Sequence, residues 1–198
     1  MKRFSRGLLL LIAVLLIHIF LPIPTAAEES EQSYSTALIE AQTGMCLNGT
    51  APEQILPIGS QTKLMTVYLT AEAIAAGRLT LDEAVTISPS AEGVEGATVW
   101  LRTGEKMTVN DLLKAVIIGN ANDACVALAC RLSGSEQQFV MEMNAAAFSL
   151  EMRHTRFTDC TGLSADNLST AHELGLLCRA LLQYDFLSTS LTTWRGFL

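Results

Sequence analysis

Apolar and polar positions alternate from Tyr34 to Glu40, break at Gln42-Thr43-Gly44 and resume at Met45-Cys46-Leu47, which predicts a β-hairpin. From Ser60 the period lengthens. Apolar residues at 64, 65, 67, 68, 71, 74 and 75 predict one helix from Ser60 to Ala76, with Gly77 as its stop. Thr108-Val109-Asn110-Asp111 opens a second helix reaching about Ile118. The alanine-rich segments 124–132 and 135–150 are also helical in period. Thr80-Leu81-Asp82-Glu83 and Thr170-Ala171-His172-Glu173 both carry the capping-box pattern, the second ahead of a helix to about Gln183. Helices thus outnumber strands in an α+β chain. A lone two-stranded hairpin is marginal in water, so its sheet is under-supplied. The last residues, Thr192 to Leu198, carry no polar tail, and the pattern reads as a domain whose later sheet strands are missing. Such a chain is expected to be unstable alone.

The N-terminus follows a different pattern. The 14-residue run from Leu8 to Leu21 is apolar except for His18; it lies behind Lys2, Arg3 and Arg6 and ahead of Pro22-Ile23-Pro24-Thr25-Ala26-Ala27. A basic start, a short apolar core and a small-residue exit predict a secretory signal peptide over residues 1–27, too short to suit a bilayer span. An uncleaved anchor is the alternative, and either way residues 28–198 are exported. Hydrophobic residues at 49% and charged ones at 17% exclude intrinsic disorder. The chain holds 13 Lys and Arg against 20 Asp and Glu, and without the leader 10 remain against 20. No basic stripe offsets that charge, so nucleic acid is not an expected partner, and membrane contact is expected only through the leader. The five cysteines, at 46, 125, 130, 160 and 178, include no C-x-x-C pair, so no structural zinc is expected. Cys125 and Cys130, in an Ala/Val/Leu-rich stretch, read as buried free thiols, while disulfide pairing stays open.

Chemistry concentrates at Pro57-Ile58-Gly59-Ser60-Gln61-Thr62-Lys63. Ser60 and Lys63 lie three residues apart and so share one helix face. A serine hydroxyl becomes a useful nucleophile when a neighbouring base takes its proton, and lysine can be that base when burial lowers its pKa. The start of a helix adds N–H groups and partial positive charge suited to an oxyanion. The plain alternative is an N-cap serine followed by a surface lysine. A Ser-His-Asp triad finds no support, since only His154 and His172 follow the leader and His172 sits in a capping box. Asp82, Glu83, Glu92, Glu95 and Glu136 read as a solvated acidic face. Trp100 and Trp194 read as packing residues rather than a sugar platform.

Three blocks in order carry a resemblance. Leu56 to Thr66 contains S-x-x-K; Gly104-Glu105-Lys106-Met107-Thr108-Val109-Asn110-Asp111-Leu112-Leu113 follows; Asn120-Ala121-Asn122-Asp123-Ala124 comes next. Gly134-Ser135-Glu136, Met143-Asn144, His154-Thr155-Arg156-Phe157 and Gly162-Leu163 extend it over roughly residues 35–195. The chain resembles the low-molecular-weight D-alanyl-D-alanine carboxypeptidases, penicillin-binding serine peptidases of family S11. The resemblance implies a β-lactamase/transpeptidase-like fold, a helical cluster against an antiparallel sheet, and a site at the extracytoplasmic face of a bacterial envelope. It implies that Ser60 forms an acyl-enzyme with peptidoglycan stem peptides ending in D-Ala-D-Ala. Lys63 would be the general base and Asn122 would hold the substrate amide. β-Lactams would acylate the same serine. No metal or organic cofactor is implied.

Two departures accompany it. Asn120 stands where the family's second motif has serine, and an amide cannot relay a proton by gaining one and losing another. A register slip, leaving Asn122 as the motif's only functional residue, is the alternative. No K-T-G follows Asn122, so residues 28–198 are expected to be a partial, C-terminally truncated catalytic domain of impaired activity. The competing readings are an inactive relative or gene fragment with at most a binding role, and a class A β-lactamase.

Overall fold

The computed structural model describes residues 34–187, so the expected leader and Trp194 lie outside the described residues. The chain runs β1 (Thr36–Ile39), β2 (Cys46–Thr50), β3 (Leu56–Pro57), a 3-10 turn (Gly59–Thr62), α1 (Lys63–Ala75) and β4 (Ala84–Thr86). A second 3-10 turn (Pro89–Ala91) precedes β5 (Lys106–Thr108), α2 (Val109–Ile117), α3 (Asn122–Ser133), α4 (Glu136–Ser149), β6 (Leu168–Ser169) and α5 (Ala171–Leu181). The fold is α+β, as the periodicity predicts.

The helices start and stop where their local chemistry directs. The Thr108, Ser135 and Thr170 hydroxyls accept from the backbone N–H groups of Asp111, Gln138 and Glu173, satisfying donors that no helical carbonyl can reach. α1 closes at Gly77, which takes a positive φ of 69° while Arg78 N–H donates to the Ala73 carbonyl at 2.9 Å. The capping pattern at Thr80-Leu81-Asp82-Glu83, by contrast, opens no helix. It forms a turn in which Glu83 N–H donates to the Thr80 carbonyl, and the chain continues into β4. The β-branched Val85 and Thr86 suit an extended strand paired with β5, and the Glu83 carboxylate meets Arg131 at 2.6 Å instead of capping.

The predicted hairpin is present as β1 paired antiparallel with β2, in register Thr36↔Thr50 to Ile39↔Cys46 with a bulge between Leu38 and Ile39. Among the described residues it pairs with no other strand. Its support is α5, which packs against β1; a Cβ at Gly175 would sit 3.1 Å from the Ile39 side chain. Two further ladders, β3 with β6 and β4 with β5, are too short for periodicity to reveal.

The core centres on α3. Its residues from Asn122 to Ala129 are all buried, and it packs against α1, α2 and α4. Alanines and Cys125 keep its surface low, so larger neighbours such as Met65, Leu112, Leu113, Phe139 and Met143 close in and become fully buried. Each such side chain contributes about 1.5–3 kcal/mol through burial. All five cysteines are free thiols; Cys125 and Cys160 are buried, whereas Cys130 is only half-buried.

Candidate active site

β3 delivers the chain to Ser60. Its pairing with β6 and the bond from Ile58 N–H to the Asn167 carbonyl (3.0 Å) anchor the approach, and Gly59 turns it with a positive φ of 49°. The single helix expected from Ser60 begins instead as the tighter 3-10 turn, with regular α geometry from Lys63 onward. Ser60 is exposed at the mouth of the turn, while Lys63 is buried at 5% exposure.

Three of the four expected residues come together. Ser60, Lys63 and Asn120 line one cavity of about 210 Å³ whose other walls are apolar, among them Leu64, Val67, Val116 and Ile117. Asn120 sits on the connection between α2 and α3 at a φ of 53°, and its Nδ2 donates to Ser60 Oγ at 3.3 Å. Burial pushes the Lys63 ammonium below the ordinary lysine range, although nearby Cys125, Cys160 and Asp159 act in the opposite sense. Lys63 Nζ donates to the Thr161 carbonyl at 2.6 Å. A lowered pKa brings the lysine closer to the form that can accept a proton, and a serine oxygen that accepts from an amide is stabilised as it gains negative charge.

Asn122 is placed differently. It is buried in the first turn of α3, where its Nδ2 donates to the Glu95 carbonyl at 2.7 Å and its backbone N–H to that of Ala97 at 2.7 Å. The adjacent Asp123, buried at 1% exposure, accepts from the backbone N–H groups of Val99, Leu101 and Ala124. This carboxylate pins the strand of chain between them. Trp100 is therefore thrown outward with a φ of 57° and 84% exposure, contrary to the expected packing role. The solvated acidic face holds for Asp82, Glu92 and Glu95, which are exposed, and is corrected for two members: half-buried Glu83 pairs with Arg131, and half-buried Glu136 accepts from the backbone N–H and thiol of Cys160.

Sequence reasoning quoted Gly162-Leu163 only as part of the resemblance and missed that the loop from Asp159 to Asn167 lies against Ser60 and Lys63. Asp159 accepts from the backbone N–H groups of Thr161, Gly162 and Ser164, from the Thr161 hydroxyl and from Asn167 Nδ2. Burial alone would raise its pKa, but these N–H donors outweigh burial and hold the carboxyl below its usual range. Gly162 lies so close to the nucleophile turn that a Cβ there would overlap the Gly59 carbonyl. The Asp-x-Thr-Gly spelling signals a turn. It carries no sign that the turn lies against a lysine almost a hundred residues earlier. Among the described residues no group of three or more His, Cys, Asp or Glu could hold a metal ion, and no helix is long and apolar enough to cross a membrane.

Comparison with known proteins follows the same lines. A family model for peptidase S11, D-alanyl-D-alanine carboxypeptidase, matches residues 23–195. The D-alanyl-D-alanine carboxypeptidase DacF of Bacillus subtilis is 35% identical over 174 residues, covering 87% of this chain and 44% of the relative. The chain thus spans less than half the length of that relative. Penicillin binding protein 6B of Escherichia coli superimposes with a TM-score of 0.77 at 32% identity, covering 83% of this chain and 56% of its own. Penicillin-Binding Protein D2 of Listeria monocytogenes, in an ampicillin-bound form, matches with a TM-score of 0.69 at 29% identity, over 81% of this chain and 65% of its own. The β-lactamase/transpeptidase-like architecture expected from the sequence is that of these penicillin-binding proteins.

Proposed function

The chain belongs to the S11 family of D-alanyl-D-alanine carboxypeptidases, and from that premise we propose that it is a serine-type carboxypeptidase acting on peptidoglycan stem peptides. The carrying observation is that Ser60 and Asn120 are hydrogen-bonded at the mouth of a cavity they share with buried Lys63, whose pKa is lowered. Lys63 takes the Ser60 proton as Oγ attacks the carbonyl of the penultimate D-alanine. N–H groups at the start of the Ser60 turn face the developing oxyanion. The tetrahedral intermediate collapses with the proton delivered to the departing D-alanine nitrogen, leaving an ester on Ser60. Water, deprotonated by Lys63, then releases the shortened peptide. Asn120 supports the serine oxygen through its Nδ2–H. The role that the resemblance gives Asn122, holding the substrate amide, would fall to its side-chain oxygen, since its nitrogen is committed to the Glu95 carbonyl and the residue stands outside the cavity lining.

The same chemistry lets β-lactams acylate Ser60. On this reading residues 1–27 export the protein, and residues 28–198 work on the outer side of the bacterial cytoplasmic membrane. One observation favours a second, binding-only role. Asn120 donates to Ser60 but cannot pass a proton onward, so attack and departure of the leaving group lose a relay.

Intact mass after incubation with benzylpenicillin, beside Ser60→Ala and Lys63→Ala variants, separates the readings. A persistent adduct lost in Ser60→Ala and slowed at least a hundredfold in Lys63→Ala is expected. No adduct from folded protein identifies a binding protein, and rapid release of penicilloate identifies a β-lactamase.

A further inference from the structure

The loop from Asp159 to Asn167 touches both halves of the proposed dyad without belonging to it. Thr161 presents its carbonyl to Lys63 Nζ, and Gly162 lies against the Gly59 carbonyl and the Ser60 nitrogen. Neither contact comes from a regular element, so something inside the loop must hold it. The chain here is neither helix nor strand, and a free segment of this length would sample many conformations. The Asp159 carboxylate is the hub: Oδ1 gathers Thr161 N–H, Thr161 Oγ1–H and Gly162 N–H, while Oδ2 gathers Ser164 N–H and Asn167 Nδ2–H. Asn167, fully buried, completes the ring by accepting from Thr158 N–H and donating to the Ser164 carbonyl. The Asn167 carbonyl in turn accepts from Ile58 N–H, two residues before the nucleophile.

We propose that Asp159 is a positioning residue: its carboxylate fixes the Thr161 carbonyl that orients Lys63 and seats Gly162 beneath the Ser60 turn. The inference rests on the reading of Ser60 and Lys63 given above. Five donors converge on one carboxylate, and an amide in its place could not accept them all. In Asp159→Asn one edge becomes a donor facing donors, either Ser164 N–H and Asn167 Nδ2 or the Thr161 and Gly162 group. The loop then loosens, the Thr161 carbonyl drifts, and water reaches Lys63. The titratable groups facing Lys63 are Cys125 from α3 and Cys160 and Asp159 from the loop. Burial pushes both thiols upward, Cys125 to about 12, so they stay neutral through the working range.

Two effects on Lys63 oppose each other, and their sign is the test. Deleting the Asp159 charge acts through space to lower the lysine pKa. Loss of the loop hydrates the ammonium and raises it. Positioning requires the second to win. In the full chain, NMR titration of the labelled Lys63 side chain and stopped-flow acylation by benzylpenicillin are compared between wild type and Asp159→Asn. The expected result is an unchanged adduct stoichiometry and penicillin Kd, a first-order acylation rate at least tenfold lower, and a Lys63 titration moved upward. An unchanged acylation rate, or a Lys63 titration that stays put or moves down, overturns the proposal.

If the wild type forms no Ser60-dependent adduct, the proposed function fails, and the Lys63 titration alone decides the positioning role. If Asp159→Asn does not fold, the reciprocal Asp159→Asn/Asn167→Asp variant returns one carboxylate to the same pair. Recovery of a wild-type Lys63 titration supports the proposal. A folded double variant that restores neither titration nor acylation overturns it.

Discussion

Asn120 occupies the left-handed region of backbone space, where most side chains are strained and asparagine is among the best tolerated. Its backbone therefore suits its place even though its side chain departs from the family's serine. On the proposed mechanism the exchange removes a proton relay. Nδ2–H stabilises the Ser60 oxygen but offers no lone pair on nitrogen to collect a proton and no acidic proton to hand on. Asn120→Ser is expected to raise the rate of acylation by benzylpenicillin at least tenfold, at a cost of about 1 kcal/mol for a less favoured residue at this φ. Stopped-flow acylation and a thermal melt check the two halves, and an unaltered rate would mean that the proton path bypasses this position. That Ser60 and Lys63 share one cavity was legible from S-x-x-K, because three-residue spacing fixes a shared face. The Thr161 carbonyl was not, because a backbone oxygen has no residue-type signature.

At the scale of elements, the start of α5 shows how far local signals reach. Thr170 caps as its pattern predicts, yet Glu173 does not bend back to complete the box. Its buried carboxylate accepts instead from the His154 backbone N–H and ring and from the Thr155 hydroxyl, tying α5 to the segment before β6. Between them His172 faces two acceptors, the Glu53 carboxylate at 2.7 Å and the Gly44 carbonyl at 3.1 Å. Both bonds are made at once only when both ring nitrogens carry protons. Burial alone would lower the His172 pKa, but these partners outweigh it and raise it above the ordinary histidine value. A raised folded pKa means that this tie is complete below the unfolded value of 6.5 and is lost as pH climbs through the folded one. Hydrogen exchange at the β1–β2 turn, corrected for intrinsic rates, should be slower at pH 6 than at pH 8. In His172→Ala the difference should vanish; its persistence would assign the effect to another group.

Across the whole molecule, burial is uneven. The helical cluster around α3 encloses most of the fully buried side chains, whereas the hairpin leaves Leu38 at 60% and Leu47 at 54% exposure and depends on α5 for support. Two strands with one covered face give little cooperative stability of their own. Amides in residues 36–50 should therefore exchange well before those in α2 and α3, and the protein should lose its hairpin below the main melting transition. Hydrogen exchange read by mass spectrometry checks this. Uniform protection with a single sharp melt would show that the hairpin belongs to the cooperative core.

Sequence alone determined the helices, the caps at Thr108 and Thr170, the Gly77 stop, the hairpin and the S-x-x-K face, because each depends on residues within a few positions of one another. It also placed Asn120 and Asn122 in one motif, although the fold gives them different surroundings. Tertiary structure decided the rest. It turned Thr80–Glu83 into a strand approach once β5 offered a partner, pushed Trp100 outward around the buried Asp123 carboxylate, and brought the Asp159 loop beneath Ser60 and Lys63. In each case the deciding partner lies tens of residues away in sequence. For Thr80–Glu83 the pairing of β4 with β5 selected the outcome; for Trp100 and the Asp159 loop it was the hydrogen-bond satisfaction of a carboxylate withdrawn from solvent, which no local pattern records.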